Sequence, residues 1–166
     1  MATQPTRTRT PAPERLEAWV SFLRSHAAIT RELSADLQRE HGLTLNDYEV
    51  LLLLSRADGM RLRRVDLAQQ TLLTASGITR LLEGLERAGL VRKESCATDA
   101  RVTYAQVTDD GLESLRIAAV THLRGIDELF TSRYSGSELA TLAELLSRLP
   151  VTGADCSAPS DPAPCS

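Results

Sequence analysis

Lysine is all but missing from this chain: Lys93 stands alone beside eighteen arginines. Aromatic residues make up only 4 % of the 166 positions, so a core must come from Leu, Val, Ile and Ala, which suits helices. The longest purely apolar run, Val50 to Leu54, is far shorter than the roughly 20 residues a membrane-spanning helix needs. The N-terminus is polar and no apolar segment follows it, so no secretory signal is expected. Cys96, Cys156 and Cys165 form no C-x-x-C pair, and an odd number speaks against a disulfide framework. A reducing cytoplasm is the expected compartment. The phosphate-binding G-x-x-x-x-G-K-S/T, the dinucleotide G-x-G-x-x-G, the zinc-protease H-E-x-x-H and the hydrolase G-x-S-x-G are all missing. His26, His41 and His122 form no i, i+4 pair, and the carboxylates fall on predicted solvated faces, so no acid–base pair stands out. Neither enzymatic activity nor a cofactor is expected.

What the chain does have is charge in particular places. The net charge of −3 does not advertise a nucleic-acid binder. Residues 56–104, however, hold nine cations against six acids, while residues 105–166 hold four against nine. The positive charge is thus concentrated in the middle third. The ends differ again: residues 1–13 are rich in Thr, Pro and Arg, and 151–166 in Pro, Ala and Ser, so both are expected to be disordered.

Between these ends the apolar periodicity is helical. Leu16, Trp19/Val20, Leu23, His26/Ala27, Thr30, Leu33 and Leu37 recur at threes and fours, which predicts one long helix from Glu14 to about Glu40, stopped by Gly42. Thr44 or Asn46 can cap a second helix through DYEVLLLLSRA. RRVDLAQQT is a short helix, and after the break LLT, Thr74 offers a cap for ASGITRLLEGLERA. In that stretch Ile78, Leu81, Leu82 and Leu85 form a buried stripe, opposite Ser76, Arg80, Glu83 and Arg87, with Glu83 placed to pair with Arg87. Gly89 is the expected stop. LVRKES and VTYAQV alternate as two short strands around the loop CATDAR. Thr108 caps a helix from Gly111 to Tyr134, with apolar positions Leu112, Leu115, Ala119, Leu123, Ile126 and Phe130, and a last helix ends at Pro150.

The fold class expected is therefore mainly α with a small β-hairpin wing: a winged helix-turn-helix domain flanked by long helices. The helix opening at Thr74 is the candidate recognition helix. Its first turns carry the small polar residues Ser76 and Thr79, which let a backbone approach DNA, beside Arg80, which can reach a guanine edge or a phosphate.

Over a stretch of about 70 residues that runs from LTLNDYEVLLLL at Leu43 through DLAQQ, GITRLLEGLERAGLVRK and TDARV to VTDDGLESL at Val107, the sequence resembles the MarR family of bacterial winged-helix transcription regulators. The resemblance implies a DNA-binding homodimer, commonly a repressor, divided as a 1–13 arm, a 14–42 dimerisation helix, a 43–107 DNA-binding region, 108–150 dimerisation helices and a 151–166 tail. It implies that Arg101 at the wing reaches the minor groove, where negative potential is concentrated, and that Asp99 orients it. Arg63 and Arg64 depart from the Ser or Thr that relatives carry before the short helix; they lose that cap but add two cations near the phosphate backbone. Lys93 and Thr74 complete the expected DNA-facing set of Arg63, Arg64, Thr74, Ser76, Thr79, Arg80, Lys93, Asp99 and Arg101.

The family also implies a small aromatic or phenolic anion as effector. Arg15, Trp19, Phe22 and His26 share one face of the first helix and, with Tyr48, offer flat apolar surface, a cation and hydrogen bonds. A metal-responsive variant would use His26 and His122, and a redox variant Cys96, although the cysteine that the family's peroxide sensors carry early in the first long helix is missing here. Ligand-independent DNA binding is the remaining alternative. Double-stranded DNA is the expected partner in every case, with no membrane.

Overall fold

The computed structural model describes residues 13–71, 73–95 and 103–150, apart from the side chains of 13–15. Helix α1 spans Pro13–His41 and ends at Gly42, whose φ of +68° is a left-handed turn that favours glycine. Thr44 then caps α2 (Leu45–Arg56): its Oγ1 accepts from Asp47 N at 3.2 Å, and the Asp47 carboxylate accepts from Thr44 N at 2.8 Å. A short 3₁₀ turn, Asp58–Met60, leads into β1 (Arg61–Arg63), followed by α3 (Arg64–Gln70) and α4 (Ala75–Arg87). Strands β2 (Val91–Ser95) and β3 (Thr103–Val107) complete an antiparallel sheet in the order β1-β3-β2, which aligns Leu62, Ala105 and Lys93. Helix α5 is Asp109–Leu129 and α6 is Gly136–Leu146, the latter opened by a Ser135–Glu138 capping box.

The expected β2–β3 hairpin is present, and a third strand that the sequence did not announce joins it: Arg61-Leu62-Arg63 alternates polar and apolar, but only its pairing with β3 makes so short a run a strand. Two expectations are corrected. The helix expected to reach Tyr134 stops at Leu129, where Phe130 leaves helical geometry and a 3₁₀ turn, Thr131–Arg133, follows. The last helix ends at Leu146, before the expected Pro150.

One core serves the winged lobe. Leu37 of α1, Val50, Leu51 and Leu54 of α2, Leu67 of α3, and Ile78, Leu82 and Leu85 of α4 meet Val91, Ala105 and Val107 of the sheet and Leu115 and Ala118 of α5. The N-terminal half of α1 has no such cover: Leu16, Trp19, Val20, Phe22 and Leu23 are exposed. Ile117, Val120 and Leu123 of α5 are exposed too, and α6 buries none of its residues.

Candidate nucleic-acid interface

Helix α4 is fixed at both ends. At its start Thr74 Oγ1 accepts from Gly77 N at 3.1 Å. At its end Gly89 adopts φ +75°, Gly89 N donates to Glu86 O at 3.0 Å, and Leu90 N donates to Leu85 O at 2.9 Å. That pair of bonds is a Schellman closure, and it delivers the chain directly into β2. Thr108 locks the far side of the wing to the same turn. Its hydroxyl donates to Gly89 O at 2.7 Å and accepts from Gly111 N at 3.0 Å, while its N–H donates to Leu90 O at 3.0 Å.

With Ile78, Leu82 and Leu85 buried, the helix presents Ser76, Arg80, Glu83 and Arg87 to solvent along one stripe. Arg80 is exposed and has no ion-pair partner among the described residues. The Thr79 hydroxyl is turned back onto Ala75 O at 3.0 Å, and that of Ser76 lies 3.2 Å from Thr74 Oγ1. Arg87 does not pair with the Glu83 carboxylate as its spacing suggested; its Nε donates to the Glu83 main-chain oxygen at 3.2 Å. A shallow cleft between α4 and the sheet is lined by Arg64, Thr79, Glu83, Glu86 and Lys93.

Much of the cationic surplus is tied up inside the lobe. Arg63, at the N-cap position of α3, makes no cap bond but forks the Asp66 carboxylate through Nε and Nη2 at 2.7 and 2.9 Å. Lys93 Nζ lies 3.0 Å from Glu86 Oε2, joining β2 to α4. On the outer face of the sheet Arg61 pairs with Glu94 at 2.9 Å and lies over the Tyr104 ring at 4.9 Å. Arg92 forks Gln106 Oε1 at 2.8 and 3.0 Å, and Gln106 reaches Gly59 O at 3.1 Å. These sheet contacts were not legible in the sequence, because their partners meet only once β1 pairs with β3. Arg64, like Arg80, is exposed with no ionic partner among the described residues. Asp99, Arg101 and Cys96 lie outside the described residues, as does the side chain of Arg15.

Along α1 the rings of Trp19 and Phe22 are 6.2 Å apart, and those of Phe22 and His26 6.4 Å, so the three form an exposed strip. Tyr48 does not join it. It is buried, and its ring lies tilted against His122 of α5, with centroids 4.4 Å apart and planes at 41°. Burial pushes the Tyr48 hydroxyl up and the His122 imidazole down, and His122 Nδ1 is buried without a hydrogen-bond partner. His26 and His122 belong to no group of three metal-ligating side chains among the described residues.

The geometry is that of a winged helix-turn-helix DNA-binding domain, in which a capped second helix is offered to the groove beside a β wing. A family model described as MarR family matches residues 41–102. The chain is 35 % identical to AbsC, a MarR family transcriptional regulator from Streptomyces coelicolor, with a TM-score of 0.76 over 84 % of this chain and 93 % of that one. It is 28 % identical to Sco3205 from the same organism, solved in complex with DNA, with a TM-score of 0.77 over 83 % and 90 %. It is also 31 % identical to the HTH-type transcriptional repressor YetL of Bacillus subtilis, over 66 % of this chain and 68 % of YetL. The chain belongs to the MarR family of DNA-binding transcription regulators. No helix among the described residues is long and apolar enough to cross a membrane.

Proposed function

We propose that the chain is a cytoplasmic repressor that binds a pseudo-palindromic operator as a homodimer and is released by a small aromatic or phenolic anion. The observation that carries the DNA reading is Arg80: an exposed guanidinium with no ionic partner among the described residues, one turn beyond Ser76, on a helix capped at both ends. A guanidinium so placed meets the O6 and N7 acceptors of a guanine in fork geometry. Arg64, exposed at the start of α3, is assigned to a phosphate, and Arg101 is assigned to the minor groove by its place in the wing sequence. The kinship to a repressor, and to a protein solved on DNA, supports the same reading. In a selection from random duplexes, Arg80→Ala is expected to relax the preference at one base pair of each half-site by about 1–3 kcal/mol. Uniform weakening at every position with unchanged preference would refute base reading by Arg80.

The effector face we propose is the α1 strip of Trp19, Phe22 and His26, with Arg15 one turn earlier. It offers aromatic surface for a ring and a cation for its carboxylate or phenolate. A ligand there relieves repression only if it binds better to a spacing of recognition helices that misfits the operator. Trp19 is the sole tryptophan, so its fluorescence reports directly on the strip. Hydroxybenzoates are expected to quench it saturably and to release operator DNA over the same concentrations, and Arg15→Ala to abolish both effects while DNA binding persists. Release that survives unchanged in the variant removes Arg15 from the site.

A further inference from the structure

Thr121 is the one buried polar side chain among the described residues, and its hydroxyl is used twice. It lies midway along α5, where that helix crosses the end of α1. Thr121 Oγ1 is 2.8 Å from Glu40 Oε2 and 2.8 Å from His41 Nε2. A hydroxyl carries one proton and a carboxylate can only accept, so Thr121 donates to Glu40 and His41 must donate through Nε2–H. The chain of bonds continues through Glu40 Oε1, which accepts from Arg124 Nη2 at 2.8 Å, back on α5. The Thr121 bond is also the leading reason why the Glu40 carboxyl is held below its ordinary range.

The position of this cluster gives it meaning. Glu40 and His41 are the last residues of α1; Gly42 then turns with φ +68°, and Thr44 already caps α2. The joint between the long helix and the winged lobe is therefore three residues long, and the cluster ties its near side to α5. The helices approach closely at the same crossing: a Cβ added to Gly125 would stand 2.6 Å from Leu33 Cδ2. Apolar contact between helices tolerates sliding, whereas hydrogen bonds are directional and hold one alignment.

We propose that the Thr121 hydroxyl is a positioning group that braces this joint and so holds the two recognition helices of a dimer at one half-site spacing. The inference rests on the paired-site reading above. It calls for a measurement that loss of stability alone would not reproduce. A duplex selected from a random library is rebuilt with its half-sites one or two base pairs closer or further apart, and affinity is read for each spacer. The variants are Thr121→Val, nearly isosteric; Glu40→Ala, which breaks the same chain of bonds from the exposed side; and Thr121→Ser, which keeps the hydroxyl. Wild type and Thr121→Ser are expected to favour one spacer sharply. Thr121→Val and Glu40→Ala are expected to lose about tenfold of that selectivity, the equivalent of one or two hydrogen bonds, while choosing the same half-site sequence. If Thr121→Val is too unstable to assay, Glu40→Ala alone decides. A sharp wild-type preference retained in full by the variants overturns the inference and leaves the paired-site reading intact. A wild type indifferent to spacing overturns both.

Discussion

Gly111 sits in the first turn of α5, where an added Cβ would stand 2.1 Å from the Leu90 carbonyl oxygen and 2.8 Å from Val107 Cγ2. The obstacle is backbone already engaged by Thr108 N, so it cannot move without opening the joint between α4 and the wing. Gly111→Ala is therefore expected to cost about 3 kcal/mol, the upper range for overpacking, and to lower the melting temperature by several degrees. Gly84, in the middle of α4, is the opposite case: nothing lies within 4 Å of its missing Cβ. Gly84→Ala is expected to stabilise by about 0.5–1 kcal/mol, through helix propensity and a less free unfolded chain. Thermal melts of the two variants check both signs, and a neutral Gly111→Ala would show that the turn can shift. Thr108 as a cap was legible in the sequence, because a hydroxyl before a helical stripe has a local meaning. Why a glycine follows three residues later was not, since the reason is the Leu90 carbonyl, brought there only by the fold. The partners that neutralise Arg63 and Lys93 divide the same way: Asp66 is three residues from Arg63 and could be read from spacing, whereas Glu86 meets Lys93 only once the wing has closed.

Between elements, α2 and α5 meet through Tyr48 and His122, and this contact has a pH sign. His122 is held below its ordinary value of 6.5 by burial, with no acceptor for a second proton at Nδ1. Folded, the ring resists protonation; unfolded, it takes a proton readily. The stability it contributes is therefore whole above the unfolded value and is lost as pH falls below about 6.5 and through the lower folded value. Glu49 works the other way. Burial raises its carboxyl above the usual 4.5, with His26 opposing, so the folded chain takes up that proton first and regains stability on acidification through that window. His122→Phe keeps a ring against Tyr48 and removes the titration. Melting temperatures of wild type and variant are expected to diverge as the buffer goes from about pH 7 to about pH 5.5, with wild type falling faster. A gap that stays constant across the range would mean that His122 does not titrate there. Elements whose signal is local, such as the stripe of α4, its threonine cap and its glycine stop, were readable in advance. Strand β1 was not, because three residues carry no period of their own, and Tyr48 was assigned to the α1 strip because a sequence does not show which way a ring on α2 turns.

For the whole molecule, the decisive surface is the one that a single chain leaves uncovered. Leu16, Val20 and Leu23 on α1, beside the strip assigned to the effector, and Ile117, Val120 and Leu123 on α5 are exposed together with the leucines at the end of α6. Exposed apolar side chains in such number mark an interface. The sequence grouped Leu123 with Leu115 on a single stripe of α5. In the fold Leu115 faces the lobe while Leu123 faces out, so α5 is apolar on two sides and has a second neighbour to meet. Leu123 is 63 % exposed in the isolated chain, so a charge there leaves the monomer's own packing intact. In a two-fold dimer the same change appears on both sides of the seam, where each carboxylate loses water without gaining a partner. Wild type at micromolar concentration is expected to sediment at about twice the 18.1 kDa chain mass, and Leu123→Glu at the mass of one chain with its helical signal and melting transition retained. Half-sites one DNA turn apart, roughly 34 Å, would then be bound independently, so the variant loses tight binding to the full site while still recognising each half weakly. A folded Leu123→Glu that remains dimeric would place the seam elsewhere on the molecule.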